Sequence, residues 1–423
     1  MFIEKADAQI AELIKREKQR QMEGLELIPS ENYASPAVME AMGSILTNKY
    51  SEGYPHKRYY GGNEFVDGVE DLARDRAKKL FGVSHANVQP YSGSPANQAI
   101  YFALVEPGDT VMGMHLLYGG HLTHGWKVNF SARYYRAVQY PTGQDGYLNY
   151  DAIAELADQE KPRLIYCGAT AYPREFDFKR FAKIAESVGA YFAADISHVT
   201  GLIVAGVHAS PFGVADVVMT TTHKTLRGPR GAMILCNGEP SEPLKKPPEK
   251  SKKYLPTLID RAVFPGLQGG PHDHQTAAIA VALKEAMQPE FKVYGAQIVK
   301  NAKALAHTLL DHDFTLVTGG TDNHLLLVDL NNKNLSGGEA ERALEHVGMY
   351  CNKNTIPFDP RKPFDPSGIR IGTPALTSRG MKESDMEKVG MWMADTLAHP
   401  ADASVRERVR KEVKAFCQDF VIY

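Results

Sequence analysis

The chain has 423 residues, enough for two or three domains built around large cores. Its hydrophobic content of 43% and charged content of 23% fit a globular enzyme and exclude a fibrous or disordered chain. A net charge of −2 gives no reason to expect nucleic acid or an anionic membrane as partner, and no stretch approaches the roughly 20 apolar residues of a membrane span.

Residues 1–35 read as a helix followed by an extended arm. Ile10, Leu13 and Ile14 give the helix one apolar stripe, and Pro29-Ser30-Glu31-Asn32-Tyr33 stops it. The opening Met1-Phe2-Ile3-Glu4-Lys5 lacks the basic-then-apolar layout of a signal peptide. Next, Phe65, Val69, Leu72, Ala73 and Leu80 have helical spacing, with Gly82 as the C-cap. Strand runs follow at 86–88, 110–114, 164–167, 190–194 and 214–220, with helical segments at 95–105, 151–160 and 178–188. Such alternation predicts an α/β fold with a mostly parallel sheet covered on both faces. Its ligand would sit outside the carboxyl ends of the strands. The Pro- and Lys-rich stretch 238–257 reads as an exposed loop. A long helical stretch covers 273–311. A smaller α/β unit follows, with strands at 325–330 and 368–372 and helices at 336–347 and 382–397. Cys167, Cys236, Cys351 and Cys417 are scattered without metal-ligand spacing, which fits a reduced cytoplasm.

Lys224 stands in Thr220-Thr221-Thr222-His223-Lys224-Thr225-Leu226-Arg227-Gly228-Pro229-Arg230, just after a strand run. Alone it would be a solvated loop lysine. Behind hydroxyl and imidazole side chains it suits a Schiff base to a carbonyl cofactor. Arg227 and Arg230 would favour the neutral, nucleophilic amine. Asp195 begins Asp195-Ile196-Ser197-His198 at another strand end; a turn carboxylate is the plain reading, a partner for one bound ring the other. Ser92-Gly93-Ser94-Pro95 could cap a helix or cradle a phosphate. His121 and His124 have His-x-x-His spacing, but no acid or third histidine is near in sequence, so no metal is expected. Arg370, inside the apolar run Gly368-Ile369-Arg370-Ile371-Gly372, needs an anion: an internal salt bridge or a substrate carboxylate. The arm Asn48–Gly62 crowds tyrosines, histidine and glycines around Glu52.

These motifs, in this order and over nearly the whole chain, resemble the serine hydroxymethyltransferases, pyridoxal-phosphate enzymes of the aspartate-aminotransferase fold type. The resemblance implies a large domain with a seven-stranded-type, mostly parallel sheet and a smaller C-terminal α/β domain. It divides the chain into a helix and interface arm at 1–64, a cofactor-binding domain at 65–275, and a linking helix with the small domain at 276–423. It implies transfer of the serine hydroxymethyl carbon to tetrahydrofolate. The alternative is a folate-independent aldolase acting on threonine or allo-threonine. Lys224 would carry the cofactor, with His223 beside it in the catalytic set. Asp195 would hold the ring nitrogen, His198 the ring 3′-oxygen, and His121 would stack on the ring near Thr170. Ser92, Gly93 and Ser94 would bind the phosphate. Arg370 would bind the amino-acid carboxylate, and Leu116, Leu122 and Asn354 would line the folate pocket. The arm would cross a homodimer interface, with a tetramer also compatible. Tyr50, Gly269 and Gly270 would then reach the neighbour's phosphate, Glu52 would be its acid/base, Tyr60 would approach substrate and Tyr59 folate. The chain departs from the usual pattern at Ser51 (alanine), His56 (glycine), Tyr91 (histidine), Pro95 (glutamine) and Thr170 (serine).

Overall fold

The computed structural model describes residues 2–238 and 254–422. Most of the Pro- and Lys-rich stretch, 239–253, lies outside the described residues. Two compact units are present: Ala34–Ala296, and Met1–Tyr33 together with Gln297–Tyr423. The sequence reading placed its divisions at 64 and 275 instead. The first 33 residues join the C-terminal unit because Leu25–Glu26 pairs in parallel with Met349–Tyr350.

The unit Ala34–Ala296 is built on a seven-stranded sheet. Its strand order is His85–Asn87, Ala232–Cys236, Val217–Thr221, Tyr191–Asp195, Leu164–Cys167, Thr110–Met114, Arg136–Tyr140. The last five of these are mutually parallel. Ala232–Cys236 runs antiparallel to both neighbours, because the loop carrying Lys224 turns the chain straight back. Leu164–Cys167 and Val217–Thr221 are buried at every residue, as strands covered on both faces must be. Arg136–Tyr140 escaped the sequence reading: it is an edge strand of mixed character without an apolar run.

The helix Glu64–Phe81 ends at Gly82, which adopts φ 65 and donates its N–H to the Lys78 carbonyl. Its buried face follows the predicted spacing only in part, at Ala73. Phe65 and Leu72 are exposed, while Asp67, Glu70, Ala73 and Ala77 are buried. The cause is Arg58, a buried guanidinium from the arm that pairs with Asp67 at 2.8 Å and Glu70 at 2.8 Å. A buried cation requires such partners. The predicted long helix at 273–311 is two helices, Asp273–Ala286 and Pro289–Asp311, divided where Pro289 starts a new first turn.

The other unit has a four-stranded antiparallel sheet, ordered Thr315–Leu316, Leu325–Asp329, Gly368–Gly372, Asn352–Asn354. Leu305, Leu326, Ile369, Ile371, Met393 and Val409 form part of its core. Ser336 and Glu339 make a reciprocal capping box at the start of Gly337–His346.

Buried Arg379 closes two helix ends in this unit. It donates to Gln21, Met22 and Gly24 carbonyls at the end of Ala8–Glu23, and to Cys417 and Phe420 carbonyls at the end of Ala403–Cys417. One guanidinium thus satisfies acceptors that the helices themselves cannot. Arg379→Ala should cost more than about 3 kcal/mol and lower the melting temperature clearly. Arg379→Lys should recover only part of this, having three donors instead of a planar fork. A melting temperature unchanged in Arg379→Ala would contradict this account.

Candidate active site

The parallel strands deliver the candidate groups at their carboxyl ends. Thr221 ends Val217–Thr221, and its Oγ1 accepts from Lys224 Nζ at 2.9 Å. The Thr221 N–H donates to Ser197 Oγ at 3.1 Å, and the Ser197 N–H donates to Asp195 Oδ1 at 3.1 Å. Lys224 and Asp195, predicted from two separate motifs, are therefore joined through two residues. The lysine loop is fastened from inside. Thr222 Oγ1 donates to the Pro229 carbonyl at 2.6 Å, and Gly228 N donates to the Thr222 carbonyl at 2.7 Å. Thr225 Oγ1 donates to the His198 carbonyl at 3.0 Å, tying the loop to the turn after Asp195.

Asp195 is surrounded by donors. Its Oδ2 meets His124 Nε2 at 3.1 Å and accepts from Asn97 Nδ2 at 3.0 Å. Burial alone would raise its pKa. The hydrogen bond with His124 leads the effects that more than offset this, and the carboxyl is held well below the usual carboxylate range. A permanently ionised, desolvated carboxylate is suited to pairing with a protonated ring nitrogen. His124 and Asn97 were not assigned roles from sequence. His124 belongs to the His-x-x-His pair and Asn97 follows the Ser92–Pro95 motif by two residues, but only the topology brings them to Asp195.

The turn at Ser92–Ser94 opens the helix Gly93–Leu104, two residues earlier than the sequence suggested. The Ser92 side chain makes no capping hydrogen bond, which leaves first-turn N–H groups available to an anion. A Cβ at Gly93 would lie 2.7 Å from the Thr221 methyl, so only glycine lets this turn approach the strand end beside Lys224. Pro95 sits within the first turn, where it breaks no intrahelical bond but removes one N–H donor from the anion site.

His121 is held by Thr123, whose Oγ1 lies 2.7 Å from Nδ1. Burial and the neighbouring His124 and Lys224 pull its pKa down to about 4, against the opposing pull of Asp195. It is neutral at physiological pH, as a ring-stacking imidazole should be. Burial, Lys224 and Arg230 pull His223 down to about 3. Thr170 Oγ1 donates to the Gly120 carbonyl at 2.9 Å, fixing the glycine turn that carries His121. His198 is buried. Leu116 and Leu122 begin short single turns on either side of that glycine pair.

Folding also changes the metal argument. Asp195 supplies the acid that sequence spacing lacked, and ligand atoms of His121, His124 and Asp195 lie within 4.8 Å of one another. His124 and Asp195 are hydrogen-bonded partners, and His121 Nδ1 is engaged by Thr123.

The arm is hydrogen-bonded into the same unit. Arg58 donates to the Ser51 carbonyl at 3.0 Å and the Gly53 carbonyl at 2.9 Å, and Tyr54 Oη to the Asp260 carbonyl at 2.6 Å. Ser51 Oγ, where alanine is usual, donates to Asp273 at 2.6 Å. His56 adopts φ 63 and meets Asp71 at 3.0 Å. Tyr50 Oη donates to Glu52 at 3.3 Å, and Tyr50 and Tyr60 meet edge to face at 5.1 Å. Despite this anchoring, Tyr50, Tyr59 and Tyr60 are 56%, 74% and 50% exposed. Gly269 and Gly270 lie beside them; added Cβ atoms would come within 3.3 Å of Glu52 and 3.4 Å of Tyr50.

Arg370 and Asn354 belong to the other unit. Arg370 Nε donates to Asn352 Oδ1 at 3.0 Å, and burial pulls the guanidinium down to about 10, which leaves it cationic at neutral pH. Asn354 donates to the Thr355 carbonyl at 2.8 Å.

The family described as serine hydroxymethyltransferase matches residues 3–393 of the chain. A serine hydroxymethyltransferase of Acidothermus cellulolyticus is 55% identical over 98% of this chain and 95% of its own length. Those of Sorangium cellulosum and Desulfotalea psychrophila are 54% and 52% identical, each over 99% of this chain and 96% and 95% of their own lengths.

Proposed function

The chain belongs to the serine hydroxymethyltransferase family, and from that premise we propose which of its residues carry the reaction. The reaction is reversible transfer of the serine hydroxymethyl carbon to tetrahydrofolate, giving glycine and 5,10-methylenetetrahydrofolate. The cofactor is pyridoxal phosphate, which when bound supplies a protonated ring that accepts electrons from the substrate.

The observation that carries the residue assignments is the path Lys224–Thr221–Ser197–Asp195, with Gly93 against Thr221. Lys224 binds the cofactor covalently and yields it to the amino acid. Asp195, kept ionised by His124, holds the ring nitrogen's proton. Ser92, Gly93 and Ser94 bind the phosphate through hydroxyls and first-turn N–H groups. His121 stacks as a neutral ring, Thr170 fixes its turn, His198 approaches the ring oxygen, and His223 lies beside the lysine. Arg370 pairs with the substrate carboxylate.

The exposed aromatic arm supports a homodimer with shared sites. Tyr50, Gly269 and Gly270 reach the partner's phosphate, Glu52 and Tyr60 its substrate, and Tyr59 its folate. Leu116, Leu122 and Asn354 complete the folate pocket. Among the described residues no helix is long and apolar enough to cross a membrane. The four scattered cysteines, all free and buried, support a reduced cytoplasmic location.

Glycine formation from serine, measured with and without tetrahydrofolate, tests the reading directly. It should depend on folate. Glu52→Gln should reduce folate-dependent serine cleavage by roughly 10²-fold, the scale of one acid/base group, while sparing retro-aldol cleavage of allo-threonine. Equal loss of both activities would make Glu52 a structural residue.

A further inference from the structure

Tyr91 is the junction between two segments that have so far been treated separately. It immediately precedes the Ser92–Ser94 turn. Its hydroxyl donates to the Gly270 carbonyl at 2.7 Å. Its ring stacks on His272 at 4.1 Å with an interplanar angle of 8°. Its own N–H donates to Gln268 Oε1 at 3.0 Å, and Gln268 Nε2 returns a bond to the Gln89 carbonyl at 2.9 Å. Gln275 Nε2 adds a bond to the Pro90 carbonyl at 3.2 Å. Residues 89–91 and 268–275 are therefore interlocked from both sides.

The interlock extends further. Gly270 lies against the Tyr50 ring, and Gly269 lies against Glu52. On the other side, Gly93 lies against Thr221, the partner of Lys224. A Cβ at 270 would sit 3.4 Å from Tyr50 Cζ, so this residue packs directly against the Tyr50 ring. A continuous set of contacts thus runs from the lysine's partner through Tyr91 to the exposed edge of the arm.

We propose that Tyr91 is a positioning residue, whose hydroxyl bond to Gly270 and stack on His272 hold the Gly269–Gly270 loop and the Tyr50–Glu52 edge at a fixed spacing from the Ser92–Ser94 turn. It touches no reacting atom. It sets the distance between what a subunit gives its own cofactor phosphate and what it lends its partner's. This rests on the reading of both segments as phosphate-binding.

Tyr91→Phe isolates the device, since it keeps the ring stack and deletes only the hydroxyl bond. Release of pyridoxal phosphate from the holoenzyme, followed by its absorbance with an excess of apo-acceptor protein, should become roughly tenfold faster, the equivalent of one hydrogen bond. The melting temperature of the cofactor-free protein should stay at the parental value. Ser94→Ala serves as the control for the underlying reading. If Ser94→Ala leaves release unchanged, the phosphate assignment itself fails. If Ser94→Ala accelerates release and Tyr91→Phe does not, the positioning role alone is overturned. A Tyr91→Phe protein that melts earlier without its cofactor, in proportion to its faster release, would make Tyr91 an ordinary stabilising residue and also overturn the proposal.

Discussion

Lys224→Ala should lose turnover by roughly 10³-fold or more, each factor of ten being about 1.4 kcal/mol of barrier. The protein should stay folded, because Lys224 Nζ contributes a bond to Thr221 at 2.9 Å while Thr222, Thr225 and Gly228 fasten the loop without it. Borohydride reduction of the parent should leave the pyridoxyl group on Lys224. An adduct mapped to another lysine would refute the assignment. Arginine should not rescue, since it cannot present a neutral amine. The same variant tests site sharing. Coexpressed with a Tyr50→Ala, Glu52→Gln chain, it should form mixed dimers with one site carrying every defect and one carrying none. Those dimers, purified through two tags, should recover about half the parental activity if the interface is a self-complementary two-fold. A stable mixed dimer without activity would return the arm to its own subunit.

Asp195→Asn should reduce turnover on the order of 10²–10³-fold, the scale of a lost preorganised charge. The variant keeps the shape and can still meet His124 and Asn97. It loses the negative charge that the hydrogen bond with His124 stabilises against burial. Exchange of the glycine α-proton, followed by NMR, isolates this step from folate. Parental exchange rates in Asp195→Asn would remove the proton-holding role from Asp195.

Much of the architecture was legible because its signals are local. Leu164–Cys167 and Val217–Thr221 are buried on both faces and therefore read as uninterrupted apolar runs. Gly82 marks a helix end through a left-handed backbone that favours glycine. What escaped was set by partners far along the chain. Asp67 and Glu70 face inward because Arg58 arrives between them, so the helix Glu64–Phe81 leaves apolar Phe65 and Leu72 outside. His124 showed only as half of a weak metal motif until Asp195, from another strand, appeared beside it. Arg379 gave no signal at all, since its five acceptors are main-chain carbonyls that no side-chain pattern announces.

The pairing of Leu25 with Met349 has a further consequence during synthesis. The first 33 residues have no sheet partner until more than 300 further residues have been translated. At ribosomal rates of roughly 5–20 residues per second, this wait is on the order of tens of seconds. Ala34–Ala296 contains its own seven strands and can close during that interval. The nascent N-terminal segment, with Ile10, Leu13 and Ile14 along one helix, waits outside that closure as a ready client for chaperones.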